Sequence, residues 1–303
     1  MSSCDRLTAN DFDPQVLILF DAYVHGDIDR RGFLRQAGRL LGGAAALAAL
    51  GALAPRFASA QQVAPDDARL DARHLEFEAP AGHGRGRGYL VRPVATGVPL
   101  PTVLVVHENR GLNPHIEDVT RRLALAGYIA FAPDALFPLG GYPGDEDSAR
   151  TLFADLDQAR TREDFLAALA MLRNLEGGNG RLGAVGFCYG GAMVNFLATR
   201  VPDLAAAAPF YGGAPPSEAV ADIRAELLVV LASDDPRVNA SWPGFEAALV
   251  AAGVTFELFQ PADTLHGFHN DTTPRYAEAA AREAWAKTLA LFERRLRSGT
   301  AAS

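Results

Sequence analysis

The segment Gly186-Phe187-Cys188-Tyr189-Gly190-Gly191 holds residue types that can build a nucleophile. An apolar run, Leu182 to Val185, precedes it, and a helix-like stretch, Ala192 to Arg200, follows. The context reads strand, sharp turn, helix. A turn this tight forces its central residue into strained backbone angles, and glycines two before and two after it remove side chains that would clash. Cys188 stands at that centre. A free thiol has a pKa of about 8.5, so only a few per cent is thiolate near neutrality and a base is needed. Downstream of Cys188 the histidines are His266 and His269, in Leu265-His266-Gly267-Phe268-His269-Asn270-Asp271. His266 is the favoured base, with His269 the alternative. In Ala232-Ser233-Asp234-Asp235-Pro236, Asp235 is the favoured carboxylate to hold the imidazole tautomer, with Asp234 the alternative as one of the two caps a turn. The competing reading of Cys188 is a buried structural thiol, which the flanking glycines argue against.

The segment His107-Glu108-Asn109-Arg110-Gly111-Leu112-Asn113 follows the apolar run Thr102 to Val106. The backbone N–H groups of Asn109 and Tyr189 are expected to face a developing oxyanion, where losing one donor typically costs about 2.7–4 kcal/mol. Glu108 is expected close to the thiol; its competing reading is a solvated loop carboxylate. His107 reads as a packed strand-end histidine. No histidine–carboxylate spacing suggests a metal site, and no metal or cofactor is expected.

From residue 61 strand and helix patterns alternate, the signature of an α/β sheet. The expected strands are His74 to Ala79 and Gly88 to Val94, an edge hairpin joined by a Gly-rich turn over Ala81 to Arg87, then Thr102 to His107, Tyr128 to Ala132, the run before the elbow, Ala205 to Phe210, Leu227 to Leu231 and Val254 to Phe259. Helices are expected over Ile116 to Ala126, Arg162 to Leu175, Trp242 to Ala252 and Tyr276 to Leu296, and a surface loop near the site over 136–148. Cys188, Asp235 and His266 each follow a strand, in the chain order nucleophile, acid, histidine of the α/β-hydrolases. The expected fold is a mostly parallel central sheet flanked by helices on both faces.

These motifs together resemble the dienelactone hydrolase family, the carboxymethylenebutenolidases, over roughly residues 74 to 297. The resemblance rests on His107 to Asn113, Gly186 to Gly191, Asp235 and His266-Gly267-Phe268. It implies an α/β-hydrolase fold, a Cys-His-Asp triad, no cofactor, and opening of enol-lactones to oxo-acids such as maleylacetate. It also implies that Glu108 helps to activate the thiol only when substrate is bound, protecting the thiolate from oxidation. Dienelactone hydrolases place a substrate-binding arginine four residues after the catalytic histidine. Here that position is Asn270, and Arg110, Arg150 or Arg275 are the candidates to replace the arginine.

The chain has 303 residues and a formal charge of −8, and with no basic run nucleic acid is not an expected partner. Residues 1–60 read as an N-terminal region with a twin-arginine signal peptide, and 61–303 as a single hydrolase domain. Asp29-Arg30-Arg31-Gly32-Phe33-Leu34 resembles the twin-arginine motif, and Ala58-Ser59-Ala60 resembles a small-residue cleavage site. The apolar stretch Leu40 to Ala54 is short for a membrane span, which needs about 20 residues. Cleavage near Ala60 would remove Cys4 and leave Cys188 as the sole cysteine. The run Val16-Leu17-Ile18-Leu19-Phe20 has no assigned use. The expectation is a periplasmic or otherwise exported cysteine hydrolase of a small ester or lactone, with the twin-arginine export machinery as a partner and no stable membrane span in the mature chain. The alternatives are a thioesterase or acyltransferase with the same triad, and a non-catalytic binding protein on the same scaffold.

Overall fold

The computed structural model describes residues 6–94 and 97–297; Cys4 lies outside the described residues. Helices α1 (Pro14–His25), α2 (Arg30–Leu41), α3 (Gly43–Leu53) and the short α4 (Phe57–Ala60) come first. Their ends are written locally. Asp13 caps α1 by accepting from the Gln15 N–H ahead of Pro14, and Gly26, at φ 88°, stops it. Asp29 caps α2, and Gly42, at φ 87°, breaks it from α3. Phe20, Phe33, Leu50 and Leu53 give these helices a small apolar cluster of their own.

The remaining chain alternates β1 (Leu70–Ala79), β2 (Gly84–Pro93), β3 (Leu100–Val106), α5 (Pro114–Leu125), β4 (Ile129–Pro133), α6 (Glu146–Ala154), α7 (Gln158–Arg173), β5 (Gly178–Phe187), α8 (Tyr189–Arg200), β6 (Leu204–Phe210), β7 (Glu226–Val230), α9 (Pro236–Asn239), α10 (Trp242–Ala252), β8 (Phe256–Phe259) and α11 (Glu278–Phe292). The eight strands form one sheet in the order β1-β2-β4-β3-β5-β6-β7-β8. The β1–β2 and β2–β4 pairs are antiparallel and every later pair is parallel. Val105, Val185 and Val230 are fully buried, as parallel strands covered on both faces require. One core packs α7 and α8 against the sheet, and a second packs α5 and α11 against the other face. The α/β architecture is the expected one.

Two local expectations change. The glycines over 84–88 lie within β2, so the hairpin turn is shorter than expected. A Cβ on Gly86 would come within 2.2 Å of the Phe77 ring, and one on Gly88 within 2.5 Å of both the Phe131 ring and the Ala132 carbonyl oxygen. Those glycines make room for aromatic rings lying across the strand rather than for a bend. The expected loop over 136–148 holds a 3₁₀ turn, Phe137–Leu139, and the start of α6, where Asp145 accepts from the Ser148 N–H.

Candidate active site

The parallel strands deliver their following loops to one edge of the sheet, the usual place for a site in this architecture. Cys188 ends the β5 turn at φ 56° and ψ −113°, and its N–H donates to the Phe210 carbonyl at 3.0 Å. Added Cβ atoms on Gly186 and Gly190 would lie 2.2 Å from the Gly190 and Val106 carbonyl oxygens. So the glycines allow the backbones of β3, β5 and α8 to touch, and within the elbow it is Cys188 that carries the strained φ. Its sulfur stands at the N-terminus of α8, where the helix dipole favours an anion.

The loop after β7 and the loop after β8 meet through one contact. His266 Nδ1 lies 2.5 Å from Asp235 Oδ2, with both side chains buried. Asp235 also caps α9 by accepting from the Val238 N–H at 3.2 Å, which fixes the carboxylate. Asp234 instead makes a backbone bridge to Leu265. His269 is stacked on Phe187 with ring centroids 5.0 Å apart, and burial lowers its pKa to about 3. Of the two expected pairs, the structure therefore brings together Asp235 and His266. A ring nitrogen of His266 lies within 4.8 Å of the Cys188 sulfur. Burial alone would raise the Cys188 pKa, but the charge of His266 and hydrogen bonds from His25 and His266 pull it down to about 6. The N–H groups of Asn109 and Tyr189 donate to no backbone acceptor among the described residues.

Asn270, at the family's arginine position, donates to Glu108 Oε2 at 2.9 Å and accepts from Thr272. Glu108 and Cys188 line the same cavity, of about 560 Å³. Arg110 and Arg275 line it too; Arg150 does not, and stacks on the Tyr23 ring at 5.0 Å. His107 is a fully buried strand-end residue accepting from the Ala135 N–H, as expected.

The opposite wall was not foreseen. Phe20, Tyr23 and Leu50, from the N-terminal helices, close the cavity. The C-terminal end of α1 points into the cleft, and its Val24 carbonyl accepts from Asn109 Nδ2 and Arg110 Nη2, each at 3.0 Å. These donors satisfy a carbonyl that the helix end leaves open, and the guanidinium suits the negative pole. Tyr23 Oη donates to Asp147, and Arg275 pairs with Asp21 at 3.3 Å. His25 reaches furthest, with Nε2 3.6 Å from Cys188 Sγ and 3.3 Å from His266 Nε2. Burial would lower the His25 pKa, but Asp21 and Cys188 raise it to about 10. Arg237 Nη2, 2.8 Å from the same nitrogen, opposes this, since its N–H needs the lone pair of a neutral ring. The sequence signal was the i,i+4 spacing of Asp21 and His25 at the end of a capped apolar helix.

Among the described residues, His25, Cys188 and His266 form a group whose donor atoms lie within 4.8 Å of one another, close enough to share a metal ion. The Arg237 guanidinium on His25 places positive charge beside those donors, which suits proton exchange better than a cation.

The dienelactone hydrolase family model matches residues 87–296, most of the chain and all of the site except its N-terminal wall. The chain belongs to the dienelactone hydrolase family. A "Putative carboxymethylenebutenolidase" from Salmonella typhi is 34% identical over 219 residues, covering 67% of this chain and 81% of that protein. A "Putative hydrolase fragment YghX" from Escherichia coli K12 is 52% identical over 112 residues, 37% of this chain and 96% of the fragment. Among solved structures, a "Putative Dienelactone Hydrolase" from Klebsiella pneumoniae has a TM-score of 0.65 at 29% identity, covering 74% of this chain and 99% of that one. This dienelactone hydrolase family member is thus a hydrolase. A second family, described as YqhI-like, matches residues 4–42, which hold α1 and α2. No described helix is long and apolar enough to cross a membrane.

Proposed function

We propose that the chain hydrolyses a small ester or lactone through a thioester on Cys188. The observation that carries this reading is the buried 2.5 Å contact between His266 and Asp235 beside a thiol presented at a strained elbow. Asp235 holds Nδ1–H, so Nε2 faces the sulfur. Cys188 attacks the carbonyl carbon, and the N–H groups of Asn109 and Tyr189 receive the oxyanion. His266 returns the proton to the leaving oxygen, and water then cleaves the thioester. Glu108 takes part from the cavity wall. In the resting chain its carboxylate is bonded to Asn270, which keeps it occupied until substrate enters.

The choice of lactone over other esters rests on the family and on a carboxylate partner. Arg110 and Arg275 line the cavity beside Arg30, which pairs with Asp147, and are the candidates to meet a substrate carboxylate. The test is an absorbance time course with dienelactone and with an aryl ester, comparing the chain with Cys188→Ala. Turnover by the unmodified chain alone is expected. Retained turnover in Cys188→Ala would sink the nucleophile assignment.

For residues 1–60 the proposal is twin-arginine export, division from the hydrolase domain at 61, and cleavage near Ala60. It rests on Arg30-Arg31, the apolar stretch over 40–54 and Ala58-Ser59-Ala60. The N-terminus of the chain recovered from cell fractions, read by mass spectrometry, tests it. Full-length chain in the cytoplasmic fraction alone would reject it. The YqhI-like match and the packing of α1 into the cleft favour a second use of these residues, as part of the site.

A further inference from the structure

Asp21 and His25 form a carboxylate–imidazole pair that the triad does not use. His25 Nδ1 lies 2.8 Å from the Asp21 carbonyl oxygen and 3.3 Å from its carboxylate. Both contacts hold Nδ1–H as donor and turn Nε2 toward the cleft. The other pair, Asp235–His266, holds its ring in the same sense. Two such pairs, from opposite walls, therefore converge on one thiol, with their Nε2 atoms 3.3 Å apart. A lone histidine must perform both proton transfers of a hydrolysis, giving one to the leaving group and later taking one from water. Here the groups facing His25 are Asp21, Cys188, His266 and Arg237. The Arg237 N–H at Nε2 matches a neutral His25, leaving the imidazolium role to His266.

We propose that His25 is a catalytic residue that divides the proton transfers with His266, which protonates the leaving oxygen while His25 deprotonates the hydrolytic water. In the first half the Cys188 thiolate forms the C–S bond and the carbonyl π electrons move to oxygen. As they return, the C–O bond breaks and the leaving oxygen takes the proton from His266 Nε2. In the second half a water oxygen bonds to the thioester carbon, and its proton passes to the His25 Nε2 lone pair. The C–S bond then breaks with its electron pair returning to sulfur, and the carboxylic acid departs. Transfer of the proton from His25 to the neighbouring His266 Nε2 restores the starting state. Arg237 has an exposed side chain and can yield its place to the water.

The inference rests on the cysteine-hydrolase reading and concerns the chain that keeps α1, since cleavage near Ala60 would remove His25. The test uses full-length protein, intact by mass spectrometry, with p-nitrophenyl acetate in stopped flow. For His25→Gln we expect a nitrophenol burst approaching one per Cys188, then a steady rate lower by about a hundredfold, as for loss of a general base. An acetyl adduct on Cys188 should accumulate. His25→Asn, a shorter amide, should do the same. A steady rate in both variants that equals or exceeds that of the unmodified chain overturns the proposal, the faster case making α1 a plug. Parallel loss of burst, steady rate and thiol alkylation also overturns it, since a packing role has that signature. Cys188→Ala, run beside them, separates the two readings. Its full activity would reject the cysteine hydrolase itself, whereas a dead Cys188→Ala with an unaffected His25→Gln rejects only the role of His25.

Discussion

Removing the His266 imidazole should change the titration of Cys188 more visibly than its reactivity at neutral pH. The Cys188 pKa is about 6 rather than 9.0, with His266 the largest influence lowering it. At neutral pH about nine-tenths of the thiol is then thiolate, instead of about one-hundredth. Intrinsic nucleophilicity falls with pKa at a Brønsted slope of about 0.4–0.5, which costs roughly 16- to 32-fold over those three units. The net gain in alkylation rate near neutrality is only about three- to sixfold, so the midpoint of the pH profile is the sharper observable. Iodoacetamide labelling of Cys188, followed by intact mass from acid to alkaline pH, should give a midpoint near 6 in the unmodified chain. In His266→Ala it should rise toward the free-thiol value. A midpoint already at the free-thiol value in the unmodified chain, or one unmoved by His266→Ala, would refute the ion-pair argument. The linkage to stability has a definite sign. The folded thiol pKa lies below the unfolded one, so its contribution is present above the unfolded value and is lost as pH falls through about 6.

Other changes test separate joints of the structure. Asp235→Asn leaves the shape of the site but frees the His266 tautomer, and should lower kcat by about 10³- to 10⁴-fold with the fold intact by circular dichroism. Gly190→Ala puts a Cβ 2.2 Å from the Val106 carbonyl oxygen, a backbone atom that cannot turn aside. It should destabilise the chain by at least about 1–3 kcal/mol in urea unfolding, and an unchanged midpoint would contradict the close approach. Phe33→Ala opens the buried centre of the N-terminal cluster and should cost about 3–5 kcal/mol there. Hydrogen exchange should quicken in α1–α3 while β3 and β5 stay protected.

The hydrolase core was legible because its signals are local. The apolar run before Gly186 and the glycines around Cys188 specify strand, elbow and helix within a few residues, and Asp235 and His266 follow their strands at short distance. The sequence favoured His266 but kept His269 as the alternative, because the residues lie three apart in one loop. The structure turns one toward Asp235 and buries the other against Phe187. The glycines of β2 misled for a physical reason. Glycine marks either a bend or a close neighbour, and only the ring of Phe77 on the adjacent strand tells which.

The N-terminal helices show where pattern reading stops. Val16 and Phe20 lie one turn apart, and both are buried. Their spacing announces an apolar face, but not what covers it. Part of the cover is α2 and α3; the rest of the surface meeting α1 is assembled from α6, the elbow at Cys188, Arg237 and the loops after β3 and β8, far away in sequence. The same residues satisfy two local patterns at once. Arg30 stands in the proposed twin-arginine motif and also pairs with Asp147 at the rim of the cleft, an exposed contact worth little by itself. Phe33 fits the motif and is also fully buried among Phe20 and Tyr23. A receptor that reads Arg30 to Leu34 must therefore take apart the cluster that seats α1. On those two proposals, recognition for export and completion of the cleft by His25 exclude one another in a single molecule, and occupancy of the cleft by substrate should favour the second state.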